Sequence, residues 1–320
     1  MRNVLQLELE GAALFGTYHR PQSQGVRSAH VGVLLFNSGF LPRSAPGDAL
    51  AHLSDRLAEE GYPVFRFDLP GLGDSPGRLP EQIPDLFREI HGGGYGQVAA
   101  SLTLELIRRF HLDGMVLGGN CGGAITALYA GAKIPAAVRG LILLDPAFSL
   151  IDHPPSGRSR DGRDDEKRLA DVRQWVRAVW TGLKQVPGLT PVRARYNRFR
   201  RSRDKRRGAR LPPTANLPLI DCFGKLAVGT PVLFVAARAG EAAVGYAFDY
   251  LPYFRSNLGG QVEFVELTGT NHSFVEGRGK QAVGGIIQEW LARRVPAITS
   301  GQQFSASNSG GDNGRIDLPP

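Results

Sequence analysis

The 320-residue chain has two cysteines and two methionines, and none of its apolar runs reaches the roughly 18 residues a membrane-spanning helix needs. Two thiols, Cys121 and Cys222, exclude a disulfide scaffold and a zinc site, so no metal and no cofactor are expected. No G-x-G-x-x-G is present, and no Gly-Lys-Ser/Thr follows the glycine-rich segment at 118–123, which argues against dinucleotide and phosphate-loop chemistry. The start, Met1-Arg2-Asn3-Val4-Leu5-Gln6-Leu7-Glu8, alternates like a strand and lacks the apolar centre of a signal peptide. A cytoplasmic location is the expectation from these absences.

Net charge is concentrated in one place. The net charge is +8, yet residues 193 to 210 alone carry ten Arg/Lys and one Asp, so the rest of the chain is close to neutral. A near-neutral globule with one concentrated basic segment does not read as a general nucleic-acid binder. Tyr196 and Phe199 interleave aromatics in that segment, as a base-stacking surface would. Two other readings stay open: an exposed, partly disordered loop, or a landing surface for an anionic partner such as coenzyme A or an acyl-carrier protein.

What is present is a rhythm of short apolar strands and helices. Leu5, Leu7 and Leu9 alternate with polar residues, and Ala12 to Tyr18 suggests a partner strand beyond a turn at Gly11. Val31–Phe36, Val64–Phe67, Met115–Leu117, Val138–Leu144, 230–236 and 261–267 are apolar runs of the kind covered on both faces. Helices are predicted over about 47–60 with Leu50, Leu53 and Leu57 on one face, over 97–110, after Cys121, and over 280–294. This alternation predicts an α/β fold with a mostly parallel central sheet covered by helices. The rhythm breaks after Pro146, giving a core at 1–150, an inserted cap or lid at 151–228 with the basic segment, a returning core at 229–296, and a disordered tail at 297–320 rich in Ser, Gly, Asn and Gln.

The chemistry concentrates at Gly119-Asn120-Cys121-Gly122-Gly123. Small residues two before and two after the cysteine let a strand and a helix pass close together, so the central side chain projects from a tight turn. Gly119 and Gly123 frame this nucleophile elbow, and a thiol at a helix start ionises far more readily than a hydroxyl. The competing reading of Cys121 is a small buried hydrophobe. His272, between the last apolar strand and the closing helix, is the candidate base, since functional groups of open α/β sheets gather at the carboxyl ends of strands. To orient it, Glu241 is the first carboxylate after the strand at 230–236, with Asp249 as the alternative and Asp221 assigned to structure or cap. Oxyanion donors are expected from the amides of Gly122 and of Phe40 or Gly39. His91-Gly92-Gly93-Gly94 precedes a helix and reads as a flexible lead-in, and Cys222 as structural.

Phe36-Asn37-Ser38-Gly39-Phe40 and Gly61 through Ser75, with Arg66-Phe67-Asp68-Leu69-Pro70-Gly71-Leu72-Gly73-Asp74-Ser75 at its centre, resemble the α/β-hydrolase superfamily over roughly residues 25–150 and 228–292. Within it the chain is similar to the exosortase-associated and serine-aminopeptidase-like (lysophospholipase-like) hydrolases, while a cysteine at the elbow resembles dienelactone hydrolases and some thioesterases or acyltransferases. The resemblance implies that the loop after Phe67 packs beneath the active site and that Asn37 to Phe40 supply an oxyanion amide. The segment after residue 236 lacks the aspartate customary in the family. The expected activity is attack on an acyl ester or thioester through an acyl-cysteine, ending in hydrolysis or in transfer to an amine or alcohol. A non-catalytic, hydrolase-like binding or assembly protein is the alternative.

Overall fold

A computed structural model describes residues 1–22, 30–149, 211, 215–238, 250–258, 262–296 and 315–317. Among the described residues, nine strands form one sheet in the order β1-β2-β4-β3-β5-β6-β7-β8-β9. The strands are β1 (Arg2–Leu9), β2 (Ala12–His19), β3 (Val31–Phe36), β4 (Val64–Phe67), β5 (Gly114–Asn120), β6 (Val138–Leu144), β7 (Val232–Arg238), β8 (Val262–Thr268) and β9 (Arg315–Asp317). β1 and β2 form a hairpin that joins β4 antiparallel; every other neighbouring pair is parallel. The expected mostly parallel, helix-covered sheet is therefore the observed one.

The wholly apolar strands divide their side chains between two cores, as a sheet buried on both faces requires. Leu34 and Phe36 of β3, Met115 and Leu117 of β5, Leu141 and Leu143 of β6, and Phe234 of β7 face one core, with α3 (Gly96–Phe110) and α4 (Gly122–Lys133). Val33, Leu35, Val116, Ile142, Leu144, Leu233 and Val235 face the other, with Leu50, Leu53 and Leu57 of α1 (Ala49–Glu59) and Val283, Ile287 and Trp290 of α7 (Gly277–Arg294). Burying one such leucine stabilises the fold by about 1.5–3 kcal/mol. Unlike amphipathic α1, α4 is buried along ten successive residues from Gly122 to Gly131 and runs behind β5. The helix that starts at the elbow is thus fixed from all sides.

Three local outcomes differ from the sequence expectations. α2 (Ile83–His91) was not foreseen: only Leu86, Ile90 and His91 of its nine residues are buried, too short a pattern to stand out among flanking prolines and glycines. Residues 215–226, expected in the cap, instead join the core. α5 (Leu217–Asp221) and the turn of 3-10 helix after it bury Leu219, Ile220, Cys222 and Phe223 in the α3/α4 core. Within the segment expected to be a disordered tail, Arg315–Asp317 pair in parallel with β8. The remaining helix, α6 (Leu251–Asn257), places Phe254 among the aromatic rings of Phe148, Phe223, Phe234 and Phe264. The basic segment at 193–210 lies outside the described residues. No helix among the described residues is long and apolar enough to cross a membrane.

Candidate active site

β5 ends at Asn120 and α4 begins at Gly122, so Cys121 alone makes the turn. Its φ of 54° and ψ of −116° belong to neither helix nor strand, and a side chain held there costs on the order of 1–3 kcal/mol. The flanking glycines make the turn possible. A Cβ on Gly119 would lie 2.6 Å from the carbonyl carbon of Gly123, and one on Gly123 would lie 2.5 Å from the Phe36 oxygen at the end of β3. Strand, elbow and helix are therefore in backbone contact, and the cysteine side chain is partly exposed above them.

His272 sits in the loop between β8 and α7. Its Nδ1 lies 2.7 Å from Oδ2 of Asp145, and the ring also hydrogen-bonds the side chain of Cys121. With Nδ1 committed to Asp145, the thiol contact falls to Nε2. Burial pulls the imidazole toward its neutral form, but the hydrogen bonds to Asp145 and Cys121 and their charges outweigh this and push its pKa up to about 10. The histidine is thereby held as an imidazolium at neutral pH. Asp145 is 1% exposed, and burial raises its pKa against the opposing pull of His272.

The carboxylate on His272 is thus Asp145, and this corrects the assignment of that place to Glu241. Glu241 and the alternative Asp249 lie outside the described residues; Asp221 ends α5 and is exposed. Asp145 directly follows β6, at a φ of 45° that only a left-handed turn allows. The sequence held a usable signal: Asp145 is a carboxylate at the end of a buried strand, and it preserves the order nucleophile, acid, histidine. Of the seven described non-glycine residues with positive φ, three stand here, at Cys121, at Asp145 and, two residues past the histidine, at Phe274; Glu10, Ala45, Asp48 and His111 are the others.

The expected oxyanion residues are brought to the elbow. A Cβ on Gly122 would stand 2.9 Å from Cα and 3.0 Å from N of Gly39, so the two backbones touch. Gly122 opens α4, where N–H groups lack intrahelical acceptors. Phe40 is 45% exposed, with its ring edge-on to Phe87 of α2. The loop bearing Gly39 is anchored by Asp68, whose carboxylate accepts from Asn37 Nδ2 and the Arg43 amide, each at 2.7 Å, from the Asp74 amide at 3.0 Å, and from the Arg43 guanidinium. Ser75 Oγ donates to the Asp68 carbonyl at 2.7 Å and accepts from the Phe15 amide at 2.9 Å. Gly73 is required beside this carboxylate, because a Cβ there would meet it at 2.3 Å. The Asp68-to-Ser75 segment is accordingly a scaffold for the loop after β3.

Asn120, unassigned by the sequence reading, is 4% exposed beneath the elbow. Its Nδ2 donates to the His272 carbonyl at 2.9 Å and to the Leu144 carbonyl at 3.3 Å, and its Oδ1 accepts from Ser38 Oγ at 3.3 Å. His91 is the buried last residue of α2, and its carbonyl accepts from Tyr129 Oη at 2.9 Å and Asn216 Nδ2 at 2.7 Å. It is a packed helix end and not the flexible lead-in expected there. Cys222 is buried, donates to the Pro218 carbonyl at 3.3 Å, and has its thiol pushed up by burial.

Known proteins place the fold. The profile described as "alpha/beta hydrolase fold" matches residues 32–217, more than half of the chain. Comparison with curated proteins returns no match. Among solved structures, a predicted CIB-like hydrolase from Thermoplasma acidophilum is 14% identical with a TM-score of 0.54, covering 92% of this chain and 99% of its own. The proline iminopeptidase of Mycobacterium smegmatis is 13% identical with a TM-score of 0.56 over 91% and 98% of the two chains. An α/β serine hydrolase without lid from Xanthomonas campestris is 17% identical with a TM-score of 0.52 over 93% and 96%. At such identities the likeness is one of fold. Together with the profile match it places the chain in the alpha/beta hydrolase fold family.

Proposed function

We propose that the protein is an acyl hydrolase with a cysteine nucleophile, acting on an ester or thioester through an acyl-cysteine. The observation that carries this reading is the continuous contact from the Cys121 side chain to His272 and from His272 Nδ1 to Asp145, at the head of a helix and beside the Gly39 loop. A histidine held charged beside a thiol stabilises the thiolate, which is the attacking species.

In the first half-reaction Sγ of Cys121 forms a bond to the acyl carbon and the carbonyl electrons move to oxygen. The amides of Gly122 and of Phe40 or Gly39 donate to that oxyanion, each such donor contributing about 3 kcal/mol to the transition state. Collapse breaks the bond to the leaving alkoxide or thiolate, which takes the Nε2 proton of His272. The histidine, now neutral, accepts a proton from water as it attacks the acyl-cysteine. Breaking the C–S bond then releases the acid and restores the thiolate and imidazolium. Asp145 keeps Nδ1 protonated throughout and offsets the charge that His272 gains. An amine or alcohol in place of water would give acyl transfer by the same steps. An acyl donor carried on coenzyme A or an acyl-carrier protein fits the basic segment at 193–210.

The test is incubation with p-nitrophenyl acetate, followed by intact mass and p-nitrophenol release for the wild type and Cys121→Ala. The expected result is one acetyl group on the wild type, turnover to acetate, and neither in the variant. Equal labelling and turnover in Cys121→Ala would overturn the reading.

A further inference from the structure

The side chain of Asn120 hydrogen-bonds three segments that carry the site, at His272, Leu144 and Ser38. One Nδ2 holds the carbonyl of His272 itself and that of Leu144, the residue before Asp145. The Leu144 carbonyl also accepts the Cys121 amide at 2.8 Å, so nucleophile and acid hang from one oxygen. On its other side, Oδ1 takes the hydroxyl proton of Ser38, the residue before Gly39. The ends of β3, β5 and β6 and the loop after β8 are thus joined through one buried carboxamide.

Of these four segments, only the His272 loop has no ladder contact with β5. β3 and β6 are hydrogen-bonded neighbours of β5, whereas β7 and β8 lie farther along the sheet. The strand register therefore sets Cys121 relative to Ser38 and Asp145 without help. It does not set His272, whose loop must reach back over β7 and β6. A bond from the residue adjoining the nucleophile to the backbone of the histidine ties down the main chain of that loop, beside the hold that Asp145 has on the ring.

We infer that Asn120 is the positioning residue that fixes His272 over Cys121, so that the approach of base to thiol is set by the elbow and not by the loop carrying the base. The inference rests on the acyl-cysteine reading above. Satisfying strand-end carbonyls alone would also bury an asparagine here, but it would influence stability and leave the reactivity of Cys121 unchanged. The carboxamide is needed as a donor: an aspartate of the same shape presents oxygen to two carbonyl oxygens, and a serine is too short to reach both.

The experiment follows alkylation of Cys121 by iodoacetamide across pH, with the labelled peptide identified by mass, in the wild type, Asn120→Asp, Asn120→Ser and Ser38→Ala. Thermal unfolding of each serves as the control for folding. Asn120→Asp and Asn120→Ser are expected to lower the rate at neutral pH by about 10- to 100-fold and to move the rate profile to higher pH, as a base displaced by about 1 Å would. Ser38→Ala keeps both Nδ2 bonds and is expected to lose less. If Asn120→Asp does not fold, Asn120→Ser decides alone. Wild-type rate and profile in the folded Asn120 variants would overturn the inference while leaving the acyl-cysteine reading standing. Absence of labelling at Cys121 in the wild type would instead overturn both.

Discussion

Two aspartates, Asp68 and Asp145, stand one residue beyond parallel strands β4 and β6, each essentially buried, yet their surroundings differ in kind. Asp68 is ringed by two backbone amides, the Asn37 carboxamide and the Arg43 guanidinium. Its charge is matched on the spot, and the result is a rigid loop after β3. Asp145 has a single titratable partner, His272, and its burial is opposed by the imidazolium it helps to keep charged. A carboxylate with all its donors supplied builds structure. One whose balance depends on a proton held by a neighbour is available for chemistry.

The comparison is broken most strongly at Asp145. Asp145→Asn leaves His272 without a charged partner, and turnover of p-nitrophenyl acetate is expected to fall by about 100-fold or more, as loss of an orienting carboxylate does in such relays. The substitution also leaves the largely buried imidazolium without its counter-charge, so a loss of about 3 kcal/mol in denaturant unfolding is expected as well. Asp68→Asn is expected to act through the fold. Its new NH2 group faces the amide of Asp74 or of Arg43, and the guanidinium of Arg43 loses its buried counter-charge. A loss of about 3 kcal/mol in denaturant unfolding is expected. Turnover retained in Asp145→Asn, or lost as steeply in folded Asp68→Asn, would erase the distinction.

A third effect is one of pH. His272 has a folded pKa raised from its ordinary 6.5 to about 10, so its charged contacts contribute stability that is fully present below pH 6.5 and is lost as pH rises toward 10. The stability difference between the wild type and His272→Gln should therefore shrink steadily over that interval. A difference that stays constant from pH 6 to about 10 would mean that the histidine is not held charged.

Much of this could be read from the residues. The strand Val31–Phe36 was bounded as observed, and Cys121, with glycines on either side, was found at a strand-to-helix turn. His272 was placed after the last long strand, where it stands. These features are local: an apolar run, a turn that only glycine permits, a loop between two patterned segments. The carboxylate partner of His272 was missed because its identity is a distance. Asp145 and His272 are 127 residues apart and meet only when the loop after β8 folds back across β7, which no spacing in the chain expresses. The contribution of Asn120 was hidden for the same reason, its partners lying on three other segments. Residues 215–226 were assigned to the cap because the core is completed there by two short helical turns, with Leu219 and Phe223 turned inward, and not by a periodic helix.

The acetylation experiment becomes most direct when the modified residue is located, since the chain holds two thiols in opposite settings. Cys121 is partly exposed beside His272, whereas Cys222 is buried on a carbonyl with its thiol pushed up. After brief exposure of the native wild type to p-nitrophenyl acetate at neutral pH, peptide mapping should find the acetyl group on Cys121 and not on Cys222. An acetyl group on Cys222 or on another side chain, with Cys121 unmodified, would contradict the account.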